Sequence, residues 1–151
     1  RGYRIEDLIA SLGEQEYGFE KIAYLLLMGE MPSENELNDF FMAIGNSRKL
    51  PTNFTRDVIM KAPSEDIMNS MTKSILTLSS YDGSVKDNSV ANSLRQCIQL
   101  IGEFPMLAVY AYNAYAHYEK NESMFIHRPD PNRNQTNNTG RLLDIKPRQP
   151  E

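Results

Sequence analysis

Apolar residues at Ile5, Leu8, Ile9 and Leu12 recur at i, i+3, i+4 and i+7, which places them on one face of a short helix, with Gly13 positioned to cap its end. A second run, Phe19, Ile22, Ala23 and Leu25 to Met28, is apolar on most sides and closes at Gly29, which predicts a largely buried helix over 18–28. Ser33 and Glu36 form a capping box that opens a third helix carrying Leu37, Phe40, Phe41 and Ile44. The stretch Leu50-Pro51-Thr52-Asn53 breaks the pattern, and Phe54 with Val58 predicts a short helix that ends before Pro63. Ser64 is placed to cap the next one. There Ile67, Met68, Met71, Ile75 and Leu78 form a stripe, Asn69, Lys73 and Thr77 the polar face, and Asp82-Gly83 a turn. The longest segment starts near Asn88 or Ser89 and runs Val90, Leu94, Cys97, Ile98, Ile101, then past Pro105 to Ala108, Ala111, Tyr112 and Tyr115. Pro105 is expected to kink it, because the ring removes a backbone donor and clashes with the preceding turn.

No stretch alternates polar and apolar residues strongly enough to outweigh the helical spacing, so the predicted fold is all-α, a multi-helix bundle spanning residues 1–128. From 129 to 151 the composition shifts to proline and asparagine, leaving Leu142, Leu143 and Ile145 as apolar anchors. That tail is expected to be extended or poorly ordered. The 151 residues suit one domain, since a chain of this size buries roughly 70% of its unfolded surface. With 40% hydrophobic and 24% charged residues, global disorder is excluded. A net charge of -4 offers no long-range attraction to nucleic acid or to an anionic membrane surface. The apolar run Ile22 to Met28 is far shorter than the roughly 20 residues that cross a bilayer. A single cysteine and the lack of a charged-then-apolar leader at Arg1 point to a cytoplasmic origin.

Candidate chemistry is sparse. His117 and His127 stand at no helical ligand spacing from each other or from Cys97, so no metal site is expected. His117, near the end of the longest helix, is placed to interact with the helix dipole, and His127 has no carboxylate partner in sequence. The glycines are scattered singly, which leaves no phosphate-cradling loop and no nucleophile elbow. The pairs Glu14/Glu16, Glu34/Glu36 and Glu65/Asp66 lie at helix starts, where carboxylates are favoured electrostatically. Cys97, on the apolar stripe, reads as a buried and inert thiol, and Met60, Met68, Met71 and Met106 read as core filler. Tyr110, Tyr112, Tyr115 and Tyr118 suit packing or a subunit interface. No residue is assigned a catalytic, cofactor-binding or metal-binding role, and no cofactor is expected.

The block Arg1-Gly2-Tyr3-Arg4-Ile5-Glu6-Asp7-Leu8, followed by Gly18-Phe19-Glu20-Lys21-Ile22-Ala23-Tyr24-Leu25-Leu26-Leu27-Met28-Gly29-Glu30-Met31-Pro32, closely resembles the amino-terminal part of citrate synthases. Leu100-Ile101 with Pro105, Ala108 and Tyr112 resembles that family's long proline-containing helix, and Arg128-Pro129-Asp130-Pro131 is similar to the bacterial branch that includes 2-methylcitrate synthases. The resemblance covers about residues 1 to 131. It implies a piece of the large helical domain of an enzyme that condenses acetyl-CoA with oxaloacetate, giving citrate and CoA, without a metal. In that family a carboxylate removes the methyl proton while histidines and arginines stabilise the oxyanion and hold the dicarboxylate. Those groups belong to carboxyl-terminal motifs that this sequence lacks, so the chain alone is expected to be inactive.

Family members are dimers, and the corresponding interface residues here would be Met71, Ile75, Leu78, Leu94, Ile98, Ile101, Ala108 and Tyr112. The start inside the Arg-Gly-Tyr motif and the departure of 132–151 from the family pattern are read as an amino-terminal fragment with a foreign or altered tail. The alternative reading is a free-standing helical module that binds a partner protein through its Met and Tyr surface.

Overall fold

The structure, a computed structural model, describes residues 2–12, 17–124 and 126–143. Among the described residues six α-helices follow in order: α1 Ile5–Leu12, α2 Gly18–Met28, α3 Glu34–Asn46, α4 Ile67–Leu78, α5 Val90–Lys120 and α6 Gln135–Leu142. No strand occurs among the described residues, so the fold is all-α as expected. Gly13, Glu14 and Glu16 lie outside the described residues.

Side chains that take up free backbone donors fix the helix starts. At α3 the Glu36 N–H donates to Ser33 Oγ (3.4 Å) while the Ser33 N–H donates to Glu36 Oε2 (2.9 Å), completing the capping box. Ser89 caps α5 by accepting from the Asn92 N–H at 3.3 Å. Gly29 ends α2 at φ +93°, a left-handed conformation that a side chain rarely adopts. The cap of α4 is Asp66, which accepts from the Asn69 N–H at 2.9 Å, and not Ser64. Ser64 instead accepts from the Asp66 N–H at 3.1 Å and so orients the true cap. The short helix expected around Phe54 and Val58 is a five-residue π-helical turn, Thr55–Ile59.

α5 is the central element, in contact with α3, α4, α6 and the π turn, while α2 packs on α3 and α6. It runs unbroken through Pro105. Beyond the proline, Met106, Leu107, Val109, Tyr110, Ala111 and Ala114 join Phe54, Ile59, Met71 and Leu78 in the larger core cluster. Before it, Ile98 and Ile101 pack on a smaller cluster of Tyr24, Phe40 and Ile44, in which the Tyr24 and Phe40 rings meet edge to face at 5.4 Å. Two close backbone approaches set the layer. A Cβ on Gly102 would stand 2.9 Å from the Ile44 carbonyl oxygen, and a Cβ on Gly45 would collide with the carbonyl of Pro131.

Three expectations need correction. Helix α2 is not largely buried: Tyr24 and Leu25 are, but Phe19, Leu26 and Met28 are exposed, Leu26 at 61%. Its apolar girth is wider than the surface that covers it. Cys97 is exposed, because α5 at that level is covered only along the side of Ile98 and Ile101. The segment after Pro129 is not an extended tail as far as it is described. Asn134 caps α6 through the Asn137 N–H at 2.8 Å, and α6 buries Gln135, Asn138 and Leu142.

Candidate functional site

The most elaborate polar arrangement among the described residues joins α2, α3 and α5 to the 130–138 segment. Arg48, just past α3, is 3% exposed. Its Nε and Nη2 donate to Gln135 Oε1 at 3.1 and 2.7 Å, and its Nη1 donates to the carbonyl oxygens of Asp130 (2.8 Å) and Arg133 (2.7 Å). Gln135 in turn donates its N–H to Glu20 Oε1 of α2 at 2.6 Å and its Nε2 to the Ile101 carbonyl of α5 at 2.6 Å. The Asp130 N–H donates to Asn138 Oδ1 at 3.0 Å. One arginine thus holds the 130–135 turn against α3 while α2 and α5 hold the first residue of α6. Burial pushes the Arg48 guanidinium down, opposed by the Glu20 and Asp130 carboxylates. The Asn132 N–H, and then Arg133 and Arg141, hold the Asp130 carboxyl below its ordinary value. With Arg48 committed to protein carbonyl and amide oxygens, the arrangement is a clamp and not a binding site for an anion.

Beside the clamp an apolar groove of about 790 Å³ lies between α2, α5 and α6, lined by Phe19, Leu100, Phe104, Pro105 and Leu143. On the other side of α5 a smaller cavity of about 260 Å³ is lined by Ile75, Leu78, Ser79, Asp82, Val85, Gln96, Gln99, Leu100 and Glu103. Asp82 accepts from the Gln96 amide (3.0 Å), the Ser84 N–H (2.9 Å) and Arg95 (2.7 Å), which lower its carboxyl to about 2. Glu103 is 1% exposed, and burial raises its carboxyl despite the hydrogen bond from Gln99 Nε2 at 3.0 Å.

The sign for Glu103 follows from linkage. A carboxyl raised on folding contributes stability that is complete below its unfolded value and is lost as pH rises through its folded value. Asp82 is the reverse, losing its contribution only as pH falls from 3.8 towards about 2. Asp82, held at about 2, stays ionised above pH 5 and adds no pH dependence there. Glu103→Gln is therefore expected to gain stability relative to the parent chain as pH rises from 5 to 8, because the neutral amide has no charge to desolvate. Urea unfolding across that range measures it, and a difference that does not change with pH would refute it.

The eight residues expected at a subunit interface do not form one surface. Met71 and Leu78 are buried in the larger core, Ile75 and Ala108 pack against it, Ile98 and Ile101 pack on the smaller cluster, and Leu94 is half-buried. Tyr112 is the exposed member, with Lys120 Nζ 5.8 Å from its ring centre. On α4 it is Met68 and Leu76, eight residues apart, that face outward. His117 Nδ1 lies 2.8 Å from the Glu122 carbonyl oxygen past the end of α5, and the His127 carbonyl accepts from the Tyr110 hydroxyl at 2.8 Å. Glu103 carried a readable signal, since it is a charge set inside an apolar run; Glu20, beside Lys21, and Arg48, between Ser47 and Lys49, carried none.

No group of three histidine, cysteine or acidic side chains able to hold a metal occurs among the described residues, and no helix there is long and apolar enough to cross a membrane. The architecture is that of solved citrate synthases: the crystal structure of the Pyrobaculum aerophilum enzyme superposes with a TM-score of 0.77 over 99% of this chain and 37% of that one, at 21% identity. That likeness establishes the fold. A model of the family described as citrate synthase, C-terminal domain, matches residues 1–151, and the chain belongs to the citrate synthase family. The match includes the segment after residue 131, so the expectation of a foreign tail falls. Among curated relatives, a citrate/2-methylcitrate synthase of Bacillus subtilis is 24% identical over 112 residues, which is 74% of this chain and 29% of that protein. A citrate synthase-related protein of Dictyostelium discoideum is 30% identical over 114 residues, 75% of this chain and 25% of that protein. A citrate synthase of Corynebacterium glutamicum is 29% identical over 115 residues, 76% of this chain and 25% of that protein. The matched part therefore spans between 25% and 29% of these relatives' length.

Proposed function

We propose that this chain is the helical scaffold part of an enzyme that condenses acetyl-CoA with oxaloacetate to give citrate and CoA, and that it supplies no reacting group itself. The family match over residues 1–151 carries this reading. The commitment of polar side chains supports it: Arg48 is engaged by carbonyl and amide oxygens, and His117 Nδ1 meets the Glu122 carbonyl oxygen. The scaffold would act in a cytoplasmic dimer. Its exposed apolar residues, Met68 and Leu76 on α4 and Tyr112 on α5, provide surface for a second subunit.

Thiol release from acetyl-CoA in the presence of oxaloacetate tests the proposal in two preparations, the 151-residue chain and a fusion of residues 1–143 to the remaining part of the Corynebacterium glutamicum relative. The chain alone is expected to match the blank, and the fusion to release thiol and sediment as a dimer. Turnover by the isolated chain would sink the scaffold role. A fusion that is helical and dimeric yet inert would sink the enzyme reading.

A further inference from the structure

The small cavity between the end of α4 and the first half of α5 has an unusual inventory of hydrogen-bonding groups. One N–H of each amide and the Ser79 hydroxyl are engaged. Gln96 Nε2 donates to Asp82, Gln99 Nε2 donates to Glu103, and the Ser79 hydroxyl donates to the Leu76 carbonyl at 2.7 Å. Gln99 Oε1 already accepts from Arg95 at 3.0 Å, and both Asp82 oxygens are occupied. For a cationic guest three acceptors are open: the second oxygen of Glu103, the side-chain Oε1 of Gln96 and the lone pairs of Ser79 Oγ. Glu103 decides the charge. It lines the cavity while almost wholly buried, one of its oxygens receives no hydrogen bond from a described residue, and no described cation pairs with it. A buried carboxylate is stable when a cation or several donors meet it. The remaining walls, Ile75, Leu78, Val85 and Leu100, are aliphatic.

We propose that this cavity binds a primary alkylammonium group, with the –NH₃⁺ at Glu103, Gln96 and Ser79 and a short alkyl chain against Ile75, Leu78, Val85 and Leu100. Three remaining acceptors match the three donors of an ammonium, and about 260 Å³ holds a stem of a few methylenes. A planar guanidinium, with its forked donors, fits this acceptor set less well. The site stands apart from the clamp at Arg48 and does not depend on the proposed reaction. The ammonium could belong to a free amine or to a lysine side chain of another protein.

Titrating the chain with n-butylammonium chloride at constant ionic strength, followed by amide NMR, tests the site. Saturable shifts are expected at the Gln96 and Gln99 side-chain amides and at backbone amides 79–85, stronger at pH 8 than at pH 5. Glu103→Gln, which keeps the shape and removes the charge, is expected to weaken binding at least about tenfold, the scale of one charge-assisted hydrogen bond. Nα-acetyl-lysine amide separates the sources: binding as tight as that of butylammonium assigns the pocket to a lysine side chain, and exclusion of it assigns the pocket to a free amine. The proposal is overturned if butylammonium gives no saturable shift. It is equally overturned if n-butanol or tetramethylammonium reproduces the shifts, or if Glu103→Gln binds as the parent does.

Discussion

Arg48→Ala is expected to cost about 3–5 kcal/mol, the range for breaking a buried ionic network by removing one partner. The truncation leaves the carbonyls of Asp130 and Arg133 and the Oε1 of Gln135 without their shared donor, and it removes the guanidinium charge that Glu20, 1% exposed, faces. Each stranded acceptor carries its own desolvation penalty of about 1–3 kcal/mol, so the total depends on how far the 130–135 turn retreats into water. Against a whole-domain stability of about 5–15 kcal/mol, a loss of this size takes up much of the margin. The failure should be local before it is global. α6 has Leu142 as its fully buried apolar residue, so without the clamp it is expected to detach. Hydrogen exchange on Arg48→Ala should show the amides of Gln135–Leu142 losing protection while those of α4 keep theirs. A loss below about 1 kcal/mol with α6 still protected would show that water replaces the guanidinium without penalty.

Gly45→Ala is expected to be the other severe change, costing roughly 2 kcal/mol or more through overpacking. Its new methyl would collide with the Pro131 carbonyl, which belongs to a turn stiffened by Pro129 and Pro131 and tied down by Arg48 and Asn138. The turn can yield only by moving off α3, and that movement lengthens the Arg48 bonds to Asp130 and Arg133. The gain of about 1 kcal/mol that alanine normally brings to a helix offsets part of this. Gly140→Ala in α6 is the control, because a Cβ there meets nothing within 4 Å. It is expected to leave stability unchanged or to raise it by about 0.5–1 kcal/mol. Urea midpoints of the two variants should move in opposite directions; equal shifts would mean that propensity and not contact governs Gly45.

Local signals in the sequence were readable where a structure depends on neighbours along the chain. The Ser33–Glu36 box, the Gly29 stop and the Ser89 cap are each decided within about one helical turn, and all three stand as the pattern implies. α6 went unseen because its composition is polar and it has one fully buried apolar residue. Its cap, Asn134 with Asn137 three residues on, was visible, but a cap does not stabilise eight residues in water. The residues named for an interface are divided between core and surface for a related reason. Periodicity places Met71, Leu78, Ile98 and Ile101 on the apolar sides of their helices, and such sides face either a partner or the chain's own core.

By itself the sequence determined the helical class, most helix boundaries and the family, because spacing, caps and the Arg1 to Pro32 block are properties of short stretches of chain. Only the tertiary structure decided that Arg48 and Gln135, 87 positions apart, form a clamp, that Glu103 faces a cavity without a cation, and that α2 leaves Leu26 in water. The physical reason is that burial and hydrogen-bond partnership are set by what lies across the interface, and the residues on the two sides of an interface are separated along the chain by distances that no local period encodes.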